Sequence, residues 1–448
     1  MTFTLRTIFL LSLLIPSLPV AFIRPFYGIV VWTIIAFLNP QDYTFQVFAF
    51  PWALAVAIPT IAGFIVFNRG WGRLLSKECL PVFSLWVWFS LTTIVCLSTP
   101  LLADDHGDDT IYRLTFVSKI LLMIFVTIGV IDSFARLRTL LMVICGCFGF
   151  FVVKAFPFLV LGRADNAKIY GPPYSMISDN NDFGLALNMT LPIFFFLAQT
   201  EERPAVKRIF WALFFMAIPS ILFTYSRGAL IGLVVVLGLM ALRLKQRLVI
   251  LPVAVFGVFL TLAIAPAAWK DRMNLSRDGA VMDASAMSRV NAWTFSWNLA
   301  KDYPLTGGGF DTFSRDLFDR YAPNSNDIHG PHSIYFGVLA EHGFPGLLLY
   351  LMLVVSCFVN IRQVVKWGRY YGDEAAVNYA NMFSFSLLAF LTSGLFLGRA
   401  YFDYFFTIVA CIIVLKRVCF AQWAEGNFER LASEEEEQEA ALGAAQAT

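Results

Sequence analysis

Apolar runs of about 20 residues recur along this chain, each close to the length that crosses a hydrocarbon core of roughly 30 Å as a helix. Examples are WALAVAIPTIAGFIVF from Trp52, LPVFSLWVWFSLTTIVCLST from Leu80 and LVILPVAVFGVFLTLAIAPAA from Leu248. Backbone in lipid must satisfy its own hydrogen bonds, which leaves helices and closed barrels. Barrel strands alternate in polarity and these runs do not, so the chain reads as an all-α polytopic integral membrane protein. Composition agrees: 58% of residues are hydrophobic and 14% charged, against about 45–50% and about 25% in soluble domains. The formal net charge of +2 carries no information of its own, and no nucleic-acid partner is expected.

Spans are read at about 50–67, 80–99, 114–132, 139–160, 184–199, 209–224, 229–242, 248–267, 345–361, 381–398 and 402–415. Alternate connections carry the basic residues: Arg69, Arg73 and Lys77; Arg136 and Arg138; Arg203, Lys207 and Arg208; Arg243, Lys245 and Arg247; Arg362, Lys366 and Arg369; Lys416 and Arg417. The positive-inside rule makes that side cytoplasmic. FLLSLLIPSLPVAFI, from Phe9, lacks a small-residue cleavage site and is read as part of the mature chain. Pro16 and Pro19 interrupt it, so residues 1–49 are expected to form one span preceded by a short broken helix. That gives about 12 spans with both ends cytoplasmic.

Four segments follow: N-terminal membrane helices over 1–267, a large outer loop carrying short helices over 268–333, C-terminal membrane helices over 334–420, and a tail over 421–448. The tail, with EEEEQE at 434–439, reads as a solvated and disordered appendage. All seven cysteines fall in or at the ends of spans, so neither a disulfide framework nor a thiolate zinc site is supported.

The outer side holds the informative residues. Arg163, Lys168, Arg227, Arg289 and Arg399 lie at or near it, and Lys154 lies close to the outer end of its helix, against the usual charge bias. An anionic ligand would explain the excess, with Arg227, Arg289, Arg163, Arg399 and Lys154 as its contacts. TYSRGALIGL puts Arg227 in a short turn at a helix N-terminus, with Ser226 as N-cap; this is either an anion site or an arginine snorkelling to lipid phosphates. Arg289 opens SRVNAWTFSWNLAKDYP, where Val290, Trp293, Trp297 and Leu299 or Ala300 suggest an amphipathic helix on the membrane surface. PLTGGGF at 304–310 lacks the lysine and strand context of a P-loop and reads as a tight turn.

Three of the four histidines, His329, His332 and His342, cluster near one span. A zinc site would need further ligands such as Asp327, and Gly330-Pro331 breaks the helix that a His329/His332 pair would require. His332 is expected to begin a short helix ending at Gly343, which holds an imidazole at the membrane surface. With an ordinary pKa near 6.5 it could take a proton from an attacking hydroxyl, or simply hydrogen-bond a carbonyl. In SDNNDFG, Asp179 to Asp182 read as an N-cap with an Asx turn in preference to a divalent-cation site or arginine partners.

In order and on a common side, these features resemble the O-antigen ligase superfamily. The features are the turn Ser226-Arg227-Gly228-Ala229, the large loop, and His332-Ser333 followed by Gly343 and Gly346. The proline-interrupted start and SDNNDFG are similar to its branch of exosortase-associated O-glycosylation ligases. The resemblance implies a GT-C-like bundle in the bacterial inner membrane with a periplasmic active site. It implies transfer of a glycan from undecaprenyl pyrophosphate to a hydroxyl of lipid A-core, with inversion and without metal or other cofactor. His332 would be the general base or acceptor-positioning group, and Arg227 and Arg289 would bind the diphosphate and stabilise its departure. A protein O-glycosylation ligase or an O-antigen polymerase would use the same donor. A lipid-linked glycan transporter would instead place ionisable residues near the midplane on paired broken helices; Lys119 and Lys154 are the residues closest to that pattern.

Overall fold

The computed structural model describes residues 5–44, 50–67, 70–160, 168–173, 175–243 and 284–446. The helices are α1 (Leu5–Ile23), α2 (Pro25–Leu38), α3 (Trp52–Phe67), α4 (Trp71–Leu74), α5 (Leu80–Ser98), α6 (Pro100–Val130), α7 (Phe134–Val160), α8 (Asn180–Thr200), α9 (Pro204–Leu222), α10 (Arg227–Arg243), α11 (Ala284–Asp302), α12 (Arg315–Tyr321), α13 (Ile334–Tyr370), α14 (Glu374–Ser393) and α15 (Asp403–Gln446). Nine described helices are long and apolar enough to cross a membrane, and α2 and α3 are shorter apolar helices. The expected span at 248–267 lies outside the described residues.

Among the described residues, Arg73, Arg136, Arg138, Arg203 and Lys416 of the basic connections are ion-paired at one end of the bundle. Asp132 meets Arg136 at 2.9 Å and Arg73 at 3.8 Å, Glu201 meets Arg138 at 2.8 Å and Arg203 at 2.9 Å, and Lys416 meets Glu78 at 2.6 Å. At the opposite end lie the 168–179 segment, α11, α12 and the connection between α14 and α15. This second end is called the loop end below.

Two expectations about the termini need correction. α1 runs unbroken through Pro16 and Pro19, because a segment in lipid has no water to satisfy opened backbone and stays helical at the cost of one donor per proline. It packs beside α2 and α3, its Arg6 donating to the Tyr43 carbonyl at the loop end, while Arg24, between α1 and α2, lines a crevice with Asp132 and Arg136 at the basic end. The chain thus enters the bundle at the loop end, opposite the end where α15 leaves, and does not have both ends on one side. The tail also differs, since α15 continues helically to Gln446 through the acidic run.

α8 sits at the centre with nearly its whole length buried. Close helix contacts are made through small residues: a Cβ on Gly232 would overlap the Ser393 hydroxyl at 2.0 Å and Asn188 Nδ2 at 2.9 Å. Asn188 Nδ2 donates to the Ala229 carbonyl at 2.7 Å and to Ser393 Oγ at 3.3 Å, tying α8, α10 and α14 together.

At the loop end, α11 buries Ala292, Phe295, Ser296 and Leu299 against Leu317 and Phe318 of α12 and Ala340 of α13, forming a second small core. Of the expected apolar face, Leu299 and Ala300 are buried, while Val290 and Trp297 stay 45% and 49% exposed at the outside of this core. α14 also ends earlier than the expected span, at Ser393, since Leu397 leaves the helix to be buried and Phe396 approaches Trp293 of α11.

The triple glycine is a packing device. Gly308 and Gly309 N–H groups donate to the Ala340 and Glu341 carbonyls at 2.8 and 3.0 Å, laying the turn along α13. At Gly343, where α13 kinks with φ +66°, a Cβ would come within 2.7 Å of backbone atoms of Pro304 and Leu305. Gly343→Ala is expected to destabilise by at least the roughly 1–3 kcal/mol of the left-handed backbone alone. Gly330→Ala, with nothing within 4 Å of its Cβ, should leave the melting temperature in detergent unchanged. Equal melting of the two variants would refute this assignment of the turn.

Candidate functional site

The turn before α10 forms as its sequence requires. Tyr225 takes a left-handed φ of +59°, and Ser226 Oγ then accepts from Ala229 N at 3.2 Å as the N-cap. Arg227 is therefore the first residue of α10. Asn180 Nδ2 donates to the Thr224 carbonyl at 2.6 Å and Ile169 N to Phe223 O at 3.1 Å, so the starts of α8 and α10 and the 168–173 segment are fastened together. Asp179 caps α8 by accepting from Asn181 N at 2.8 Å, as the Asx-turn reading expects.

His332 occupies the junction between α12 and α13. Its φ is +43°, uncommon for a residue with a Cβ, and the peptides on either side are pinned. Trp293 Nε1 donates to the Pro331 carbonyl at 2.7 Å, with its ring stacked on Phe336 at 5.2 Å. Ile334 N donates to Gly394 O at 2.9 Å. Strain held by surrounding structure in this way is common at functional sites. The connection after α14 lies against His332 on one side, a Cβ on Gly398 standing 3.4 Å from its backbone nitrogen, and against the start of α10 on the other, where Gly228 faces Phe396 and Leu397.

The charges around His332 come from four elements. Burial lowers its pKa below the ordinary 6.5, and Arg289 on α11, His329 and Arg399 push it further the same way, while Asp179 opposes. The imidazole is consequently neutral, and basic, down to a lower pH than a free histidine. If that neutral form is the base, activity should fall on the acid side with a midpoint below 6.5, and Arg289→Met should move that midpoint upward by removing a repelling charge. A pH–rate profile of both proteins checks the sign.

The other candidates are distributed unevenly. Arg399 is ion-paired with Asp182 at 2.6 Å, so its charge is already largely neutralised. Lys154 donates to Tyr43 Oη at 3.4 Å and lies 4.9 Å over that ring, on the side of the bundle that holds α2. Arg163 lies outside the described residues. Among the clustered histidines, His329 pairs with Asp327 at 2.8 Å. His342 is fully buried, stacked on Phe89 at 4.2 Å and bonded to Thr92 at 2.7 Å, so it belongs to the packing between α5 and α13.

Next to His332 opens a cavity of about 350 Å³ whose walls include Arg113, Asp311, Ser333, Glu341, Arg399 and Tyr401. Arg113 from α6 makes a forked contact with Asp311, its Nε at 3.0 Å and its Nη2 at 2.9 Å. Glu341 accepts from Asp311 N at 3.0 Å and from the Tyr401 hydroxyl. Sequence reasoning missed this group, since its members lie on four separate segments. The one local signal was Glu341, a carboxylate inside an apolar helix. Through Phe116 and Met176 the cavity adjoins a mainly apolar slot of about 310 Å³ between α2, α3 and α6, also lined by Leu54, Lys119 and Met123.

Residues 211–351, which run from within α9 through α10, α11 and α12 into the first part of α13, match the family described as O-antigen ligase. No curated protein matches the chain.

Proposed function

We propose that this chain belongs to the O-antigen ligase superfamily, whose family model matches residues 211–351, and that it transfers a glycan from undecaprenyl pyrophosphate to a hydroxyl of lipid A-core. The observation that carries the reading is His332, fixed in a left-handed backbone between two residues that line a polar cavity and subject to the charge of Arg289, inside the family-matched segment. In the reaction, the acceptor oxygen attacks the anomeric carbon while the bond from that carbon to the diphosphate oxygen breaks. His332 takes the hydroxyl proton, and Arg289 with Arg227 at the α10 N-terminus stabilises the departing diphosphate. Attack opposite the leaving group inverts the anomeric centre.

The charge-stabilising role rests on guanidinium groups, which match phosphate geometry with forked donors. Transfer is therefore expected to persist in the presence of a chelator. A lipid-anchored substrate is supported by the apolar slot, where Leu54 and nearby Leu122 are about two-fifths exposed. The basic end faces the cytoplasm by the positive-inside rule, which puts the loop end in the periplasm of a bacterial inner-membrane protein.

The test offers purified protein three acceptors in parallel with one lipid-linked glycan donor: lipid A-core, a second lipid-linked glycan, and a periplasmic protein fraction. Glycan on lipid A-core alone is the expected result. Product on the second glycan would reassign the chain as a polymerase, product on protein would reassign it as a protein O-glycosylation ligase, and either would refute the ligase reading.

A further inference from the structure

We propose that the cavity beside His332 is the seat of the acceptor sugar, with the Arg113–Asp311 pair as the group that recognises its hydroxyls; this rests on the transferase reading above. Both guanidiniums lining the cavity are already matched by carboxylates, Arg113 by Asp311 and Arg399 by Asp182. Glu341 adds a further carboxyl group to the same wall. Such a wall offers little net attraction to a diphosphate. It suits a neutral polyol, whose hydroxyls each donate and accept.

The Arg113–Asp311 pair has the capacity to serve one. Its side chains are 34% and 32% exposed, and the fork uses only part of the five guanidinium N–H groups and of the carboxylate lone pairs. What remains is a row of alternating donors and acceptors. Phe116, Phe313 and Tyr401 supply apolar surface beside it. The volume of about 350 Å³ falls at the small end of the roughly 300–1,000 Å³ range of ligand sites, suited to a sugar unit and too small for a long lipid chain.

The seat is built in advance. Asp311 adopts a left-handed φ of +55° immediately after the glycine turn, and its N–H is held by Glu341. Thr110 Oγ1 donates to the Phe310 carbonyl at 2.6 Å, and His106 Nε2 lies 2.8 Å from the Gly308 carbonyl, which fixes the turn to α6. Ser333 and Gly398, which lie against the His332 backbone, also line the cavity. Pro331 and Ser333, which flank His332 in sequence, line the same cavity as Arg113 and Asp311, so a sugar held by that pair lies beside the peptide that carries the base. Arg289 acts on His332 yet does not line the cavity, so the diphosphate is assigned to Arg289 and the cavity to the acceptor.

The experiment measures binding without turnover. Full-length protein in detergent is titrated separately with lipid-free core oligosaccharide and with undecaprenyl diphosphate. Asp311→Asn is expected to weaken oligosaccharide binding at least tenfold and to change undecaprenyl diphosphate binding less than twofold. Arg289→Ala should do the reverse. Gly337→Leu provides a variant that leaves every charge in place: a Cβ there meets the Pro331 ring at 3.3 Å, and the remaining side chain fills the cavity. It too should abolish oligosaccharide binding alone. Unchanged oligosaccharide affinity in the folded variants, equal loss of both ligands, or no oligosaccharide binding by the wild type would each overturn the assignment. Oligosaccharide binding by a wild type that transfers no glycan would count against the transferase reading alone.

Discussion

His332→Ala is expected to reduce glycan transfer by about 10²- to 10⁴-fold, the usual contribution of a positioned general base, while the protein keeps its melting temperature and its affinity for undecaprenyl diphosphate. The expectation rests on how the residue is held. Trp293 fixes the Pro331 carbonyl and Gly394 the Ile334 N–H, so the backbone conformation of His332 is imposed by its neighbours. The ring makes no hydrogen bond to another described residue, which leaves its nitrogens available to a substrate hydroxyl. Replacing it removes a left-handed non-glycine imidazole and breaks no described contact of the fold. Stability should therefore not fall with activity. Transfer measured on folded, purified variant decides the point, and wild-type rates would return His332 to a structural role.

Arg289→Ala should lower kcat by about 10²- to 10³-fold, comparable to the loss of one donor aimed at charge that develops in a transition state. Arg289 also depresses the His332 pKa, so its removal has a second consequence that a merely structural arginine would not produce. The acid limb of the pH–rate profile should move upward as the rate falls. Arg289→Lys retains the positive charge but not the forked donors, and should restore the pH profile more completely than the rate. Loss of rate with an unmoved pH profile in Arg289→Ala would detach this arginine from the histidine.

Hydropathy made most of the bundle legible, because a helix in lipid needs only length and apolar content to declare itself. The local chemistry of the connections was equally readable. Ser226 caps α10, Asp179 caps α8, and the helix that follows His332 kinks at Gly343. Errors arose where environment overrode local preference. Pro16 and Pro19 would break a helix in water, yet α1 continues through them. The reading of α11 as a surface helix did not include Phe295, which with Leu299 packs on α12 in a core of the loop's own.

The site was legible only where one segment carried its chemistry. His332 was singled out from its place before an apolar span, and Arg289 and Arg399 from being cations on an unfavoured side. Asp311 and Arg113 stand 198 positions apart and meet only because the glycine turn docks on α6 and α13. No local periodicity encodes that encounter. Arg399 shows the converse: its charge was conspicuous in the sequence, and Asp182, which pairs with it, was read as part of an N-terminal cap in preference to an arginine partner.

The central claim is a direct displacement in which His332 deprotonates the acceptor. The measurement that tests it most directly is the anomeric configuration of the bond formed when purified wild type joins a lipid-linked glycan of known configuration to lipid A-core, with His332→Ala run alongside. The account predicts an inverted linkage, one undecaprenyl diphosphate released per bond formed, and a strongly diminished yield from the variant. A retained configuration, or undiminished transfer by His332→Ala, would contradict it.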